Sequence, residues 1–329
     1  MKTLSVTRNI HNRVLAGMAA FLFITSGIAS AQAGKTYSQL KAEHPGWMQV
    51  PGALVRPDCV HQIPSGAIVD TTHDQNGDDV VFQGKIIAHY DTCPEKAIVT
   101  RHLGSRGQQE PGPTGNGWVE ASQWEAPLKS GDNIDNLYGY WFVPGAPAED
   151  GALIFLFNGI EPTPSGWILQ PVLQYGDNGN FGGNYWTLAS WFVHSSTDYY
   201  VSSPIGVNPG DLISGQTYET APSGKKLNYI VDASDQSSKQ GTTLGVWSTG
   251  YQWNWAFAGV LEAYDVTSCS QFPGGLVDFF STVVAHGYPK LENYNSPEFY
   301  GAQYDYFGNG GPQCNFNVTV VGTSSFLTF

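Results

Sequence analysis

The chain has 329 residues and a net charge of −13, with only 13% charged and 13% aromatic residues. Such a balance repels phosphate backbones and excludes nucleic acid as a partner. With 39 Gly and 20 Pro, the composition describes sheet-forming runs cut by tight turns, not a helical or disordered chain.

Lys2, Arg8 and Arg13 precede an apolar run from Val14 to Ile28, followed by Ala29-Ser30-Ala31 and Ala31-Gln32-Ala33. This pattern predicts a secretory signal peptide over residues 1–31, cleaved after Ala31 or Ala33. The apolar run is too short for a membrane span. The mature protein is therefore expected to be secreted, extracellular or periplasmic, with no membrane contact after cleavage.

Residues 32–115 form an N-terminal segment containing Cys59, Cys93 and a turn-rich stretch from Asp74 to Asp79. Val80 to Phe82 and Lys85 to Tyr90 read as strands, and the neighbouring Asn76-Gly77 step reads as a hairpin turn. Gly104 to Gly117, rich in Gly, Pro and polar residues, reads as a linker. The segment is either a removable propeptide or a permanent subdomain.

The domain from 116 to 329 carries strand-like runs at Leu137 to Val143, Ala152 to Phe157, Gly166 to Tyr175, Tyr185 to Val193, Leu227 to Val231, Thr243 to Trp247, Trp253 to Val266 and Asn315 to Gly322. Short strands with this punctuation predict an all-β sandwich or barrel. Leu276 to Phe280 fits a strand or one short helix. In an exported protein the four cysteines predict two disulfides. Three pairings exist, and proximity favours Cys59 with Cys93 and Cys269 with Cys314.

Two runs hold a polar residue inside an apolar pattern. Alternation puts Gln170 on one face with Ile168, Val172 and Gln174, and Glu262 on one face with Ala258, Val260 and Tyr264. Both fit solvent-side positions of half-exposed strands as well as a buried site.

Asn158-Gly159-Ile160-Glu161 followed by Trp167-Ile168-Leu169-Gln170, and later Gly259-Val260-Leu261-Glu262-Ala263-Tyr264, resemble in order the Gly-Ile-Asp segment, the Ile-Leu-Gln strand and the glutamate-bearing strand of the eqolisins, a family of glutamic peptidases. Tyr140 to Pro144, Tyr185 to Val193 and Val207 to Asp211 keep the same order between them. The resemblance spans about Trp118 to Val266. It implies a concanavalin-A-like antiparallel β-sandwich and a secreted endopeptidase working in acid on protein or peptide substrates. Gln170 and Glu262 would be its catalytic pair: a carboxylate activates water while a carboxamide donates to the developing oxyanion. The acidic residue of the family's Trp/Tyr-rich strand falls near Ser190 here. Ile160-Glu161 ahead of Gly166-Trp167 also resembles the neprosin family, which would make Glu161 the partner of Glu262, the two sharing a proton. Trp167, Trp191 and Tyr264 are expected to bind substrate.

No metal or cofactor is expected. Asp74-x-Asn76-x-Asp78 lacks the glycine and downstream glutamate of a calcium loop, His194 has no nucleophile elbow near it, and Asn317-Val318-Thr319 is a glycosylation sequon in a strand-like run. The expected protein is a monomer. Two other functions fit the pattern: a non-catalytic carbohydrate-binding or adhesion module whose aromatics stack on sugars, and a glycoside hydrolase using Glu161 and Glu262. By analogy with the eqolisin prosegment, Lys35 to about Gly115 is expected to cover the groove. Lys41, Arg56, Lys85, Lys96, Arg101 and Arg106 would supply a cation against Glu262.

Overall fold

The computed structural model describes residues 37–72, 76–99, 116–129, 132–163, 166–194, 197–223, 226–294, 297–304 and 314–329. The expected signal peptide, Asp74, Ser195, Ser196, Arg101, Arg106 and nearly all of the expected linker lie outside them.

The N-terminal segment opens with helix α1 (Tyr37–Glu43) and continues through β1 (Met48–Val50), β2 (Ala53–Val55), β3 (Val60–Ile63), β4 (Ala67–Asp70), β5 (Gly77–Phe82), β6 (Lys85–Asp91) and β7 (Ile98–Val99). Then follow β8 (Asn116–Glu125), β9 (Asn136–Phe142), β10 (Leu153–Thr163), β11 (Ile168–Asp177), β12 (Gly182–His194), β13 (Asp198–Ser202), β14 (Ile205–Val207), β15 (Leu212–Ser223), β16 (Lys226–Asp235) and β17 (Gln240–Ser248). The chain ends with β18 (Gln252–Tyr264), β19 (Leu276–His286), β20 (Glu292–Asn293), β21 (Tyr300–Gln303), β22 (Asn317–Val321) and β23 (Ser324–Thr328).

Two large sheets result. Sheet I runs β21-β8-β18-β10-β11-β12-β13-β3 with β14 on β12; sheet II runs β22-β23-β19-β9-β15-β16-β17-β4-β5-β6 with β20 on β19. They pack face to face. Ile154, Leu156, Leu173 and Leu188 of sheet I meet Trp141, Ile213, Ala233 and Phe279 of sheet II in one buried cluster. The expected all-β sandwich is the observed fold. Both disulfides, Cys59–Cys93 and Cys269–Cys314, are formed. The stretch after Gly275 is a strand, with Val277 and Phe279 buried between more exposed neighbours.

Three features depart from the sequence reading. The sandwich is not purely antiparallel: β3 pairs in parallel with β13 at the edge of sheet I, and β4 pairs in parallel with β17 in sheet II. Residues 64–66 carry the chain from one sheet to the other, so the N-terminal segment contributes strands to both. The β5–β6 turn falls at Gln83-Gly84, not Asn76-Gly77; both residues have positive φ, 50° and 74°, as a two-residue type I′ hairpin turn requires. Finally, β18 is bulged. Phe157 pairs with Val260 but Gly159 with Phe257, so the extra residue at Ala258-Gly259 turns Phe257 and Trp255 to the same face as Val260 and Glu262. The Phe279 ring lies where a Cβ on Gly259 would sit, 2.4 Å from its nearest atom, and only glycine fits there.

Candidate active site

The face of sheet I turned away from sheet II, the expected groove, is an apolar wall buried beneath the N-terminal segment. Trp118, Phe155, Phe157, Ile168, Val172, Trp191, Trp255, Phe257, Val260 and Tyr264 line it. Three polar side chains expected in the site, Glu161, Gln170 and Glu262, interrupt this apolar wall and are essentially inaccessible.

Strand register places each of them. Gln170 pairs with Trp191 on β12, and since Leu169 opposes Ile160 and Val172 opposes Phe157, Gln170 lies opposite Gly159. Glu161 is the next groove-facing residue along β10, a diagonal neighbour of Gln170 whose Cα lies roughly 7–8 Å away. Glu262 pairs with Phe155, which pairs with Gln174. It therefore sits four residues from the Gln170 row and two strands across, roughly 16 Å between Cα atoms. Glu161 and Glu262 are six residues apart along this face, roughly 20 Å between Cα atoms.

The surroundings of Gln170 favour chemistry. Neither its Nε2 nor its Oε1 has a hydrogen-bond partner among the described residues, a costly arrangement for a buried amide. Opposite it Gly159 permits a close approach of β10 to β11, since a Cβ there would stand 3.2 Å from Gln170 Cβ and 2.8 Å from the Leu169 carbonyl. Near Glu161 lies Tyr304, whose hydroxyl pKa is raised by burial, then by Tyr300 and by the Glu161 charge. The same hydroxyl donates to Gln123 Oε1 at 3.3 Å, and Gln123 Nε2 donates to the Tyr300 hydroxyl at 2.9 Å.

Glu262 has different company. The Gly52 backbone N–H donates to its Oε1 at 2.6 Å, and the Tyr264 hydroxyl donates to the same oxygen. Gly52 is the tip of the β1–β2 hairpin, with φ 84°. Val50, Ala53, Leu54, Val55 and Leu40 of α1 pack into the groove's apolar cluster. The N-terminal segment thus covers the groove, and it meets Glu262 with a peptide N–H. Lys41 instead pairs with Asp265 at 2.7 Å, and Arg56 with Asp58 and Glu95 of its own segment.

Further contacts tie the segment to sheet I. His194 Nδ1 lies 2.6 Å from Asp78 Oδ2, which also accepts from the Tyr200 hydroxyl at 2.8 Å. His61 Nε2 lies 3.5 Å from Asp198 Oδ1 and stacks on Tyr90.

Of the expected substrate-binding aromatics, Trp191 lies on the groove face and Tyr264 is engaged with Glu262. Trp167 is on the other face of β11, packed against Phe192, His194, Tyr251 and Trp253. Ser190 also points inward and donates to the Thr242 carbonyl of sheet II at 2.8 Å, leaving no acid at that position. Gly159, Gly52 and Tyr304 were missed by sequence reasoning. Gly159 stands within the Asn158-Gly159-Ile160-Glu161 run, but its role depends on which residue lies across the strand.

No family model and no curated protein matches this chain. Among solved structures it is similar to scytalido-glutamic peptidase with a transition state analog inhibitor, at 15% identity and a TM-score of 0.44, covering 65% of this chain and 98% of that one. It is also similar to the same peptidase with a peptide based transition state analog, at 16% identity and a TM-score of 0.45, covering 64% and 98%. A third is SCP-B, a member of the eqolisin family of peptidases, in complex with the tripeptide Ala-Ile-His, at 16% identity and a TM-score of 0.42, covering 64% and 98%.

Proposed function

We propose that the protein is a peptide hydrolase that works outside the cytosol, using Glu161 and Gln170 on one wall of the sheet I groove. The observation that carries this reading is the Gln170 amide, buried, without a partner among the described residues, and diagonal to a buried carboxylate on the same face. An extended peptide laid across the groove brings a carbonyl carbon beside Gly159. Glu161 as carboxylate takes a proton from water as its oxygen attacks that carbon. The carbonyl oxygen becomes an oxyanion and accepts a hydrogen bond from Gln170 Nε2. Glu161 then returns the proton to the leaving amine as the C–N bond breaks. The two disulfides support an oxidising compartment.

The β1–β2 hairpin occupies the groove and must be displaced for substrate to enter. Strands β3 to β6 are paired into the large sheets, which favours a permanent segment with a movable hairpin over a wholly removable one.

A second assignment gives the base role to Glu262, favoured by the peptide N–H it already receives at 2.6 Å. Hydrolysis of a denatured protein from pH 3 to 8 separates the two. The first assignment expects Glu161→Gln to abolish turnover, Gln170→Ala to lower it about a hundredfold or more, and Glu262→Gln to retain it. Loss in Glu262→Gln with retention in Glu161→Gln transfers the role. Full activity in Gln170→Ala overturns the oxyanion assignment.

A further inference from the structure

The row of sheet I that carries Gly159 holds more polar groups than Gln170. Across the strands it reads Tyr300 on β21, Gln123 on β8, Phe257 on β18, Gly159 on β10 and Gln170 on β11, since Tyr300 pairs with Gln123, Gln123 with Phe257, and Phe257 with Gly159. Gln170 thus stands on one side of Gly159. Gln123 lies two strands away on the other, roughly 10 Å between Cα atoms. Phe257 between them packs its ring edge-on against Trp118, with centroids 4.8 Å apart.

Tyr304, just beyond β21, completes this side. Its backbone N–H donates to the Val119 carbonyl at 3.0 Å and its ring lies 6.4 Å from that of Trp118, which holds the side chain among the apolar residues of the same face. The Tyr304 hydroxyl donates its one hydrogen to Gln123 Oε1, and Gln123 Nε2 in turn donates to the Tyr300 hydroxyl. Gln123 is buried, and each end of its amide is bonded to a tyrosine. With its hydrogen given to Gln123, the Tyr304 oxygen meets any further partner as an acceptor. Burial, Tyr300 and the Glu161 charge all raise its pKa, so the phenol stays neutral where a carboxylate acts as base.

An attacking water has two hydrogens, and both must be held for a lone pair to face the carbonyl carbon beside Gly159. Glu161 accepts one. We propose that the Tyr304 oxygen accepts the other, and that Gln123 is a positioning residue that acts through Tyr304 by taking its hydroxyl hydrogen. This rests on the assignment of Glu161 as base and Gln170 as oxyanion donor. Water loses one proton, to Glu161, as its oxygen bonds to the carbonyl carbon. The hydrogen held by Tyr304 stays on that oxygen and leaves in the carboxylic acid product. Tyr304 itself neither gains nor loses a proton.

The test is a double-mutant cycle on the full chain, with initial rates measured over a range of denatured casein concentrations and circular dichroism as the fold control. Tyr304→Phe keeps the ring against Trp118 and is expected to lower kcat about tenfold with KM unchanged. Gln123→Leu should lower kcat by a similar factor in the wild-type background, but by no more than about twofold in the Tyr304→Phe background, because its effect passes through the lost hydroxyl. Packing alone would give two losses that multiply. Wild-type kcat in Tyr304→Phe, or multiplying losses in the double variant, overturns the proposal. Glu161→Gln in the same assay separates this role from the reading beneath it. If Glu161→Gln abolishes turnover while Tyr304→Phe leaves it unslowed, the base stands and the Tyr304 role falls. If Glu161→Gln retains turnover, the base assignment falls and takes this proposal with it.

Discussion

Gly52 and Glu262 are 210 residues apart in the chain and 2.6 Å apart in space, joined by a backbone N–H and a buried carboxylate oxygen. A substitution that removes this N–H should loosen the hairpin. Gly52→Pro does so and also forces φ from 84° to about −65°. Peptide hydrolysis is expected to rise several-fold, chiefly through a lower KM, with an unchanged circular dichroism spectrum. Unaltered kinetics would show that the hairpin does not restrict entry.

Gly159→Ala tests the close approach of β10 to β11 beside Gln170. Its Cβ would meet the Leu169 carbonyl at 2.8 Å, so β10 and β11 must part. The expected cost is about 1–3 kcal/mol of stability, read by urea unfolding, together with a fall in kcat larger than any change in KM. A variant as active as wild type would mean that the reacting carbonyl does not sit at this row.

The pH dependence of stability follows from two carboxyls outside the site. Burial pushes Glu120 up to about 8 from an ordinary 4.5, partly opposed by the Asn317 amide. Glu219 is pushed up to about 8 by burial, then by a hydrogen bond and charge from Asp135. Between pH 4.5 and 8 the folded protein binds more protons than the unfolded chain, so stability is full below about 4.5 and declines as pH rises through 8. Tm should fall by on the order of 5 °C between pH 5 and pH 8, and Glu120→Gln should flatten the slope. A Tm that climbs over this range would contradict both shifts.

How far the sequence reaches can be judged from particular residues. Alternation placed Gln170 with Ile168 and Val172, and the structure keeps them on one face, because β11 is regular against β10. The same logic put Ala258 with Glu262. It fails there because the bulge at Ala258-Gly259 changes the parity of β18, a change set by Phe279 pressing on Gly259 from the other sheet. The motif order of Gln170 and Glu262 was legible, but their separation along the groove was not, since it depends on the registers of two strand pairs. Cover by the N-terminal segment was foreseen with a cation as its contact. A hairpin tip offers a backbone N–H regardless of side chain, which residue types do not reveal.

Parallel pairing by β3 and β4 has a consequence for handling the protein. These four-residue strands occupy backbone hydrogen-bonding positions of β13 and β17 that would otherwise open to solvent. Cys59–Cys93 closes entirely within the segment and gives no covalent bond to the sandwich. A cut between residues 99 and 116 would therefore leave the segment attached by strand pairing and packing alone. Stripping it away would expose two ready templates for chain-to-chain β-addition, so a preparation that lost the segment would polymerise, and the nicked two-chain form is the one to keep in solution.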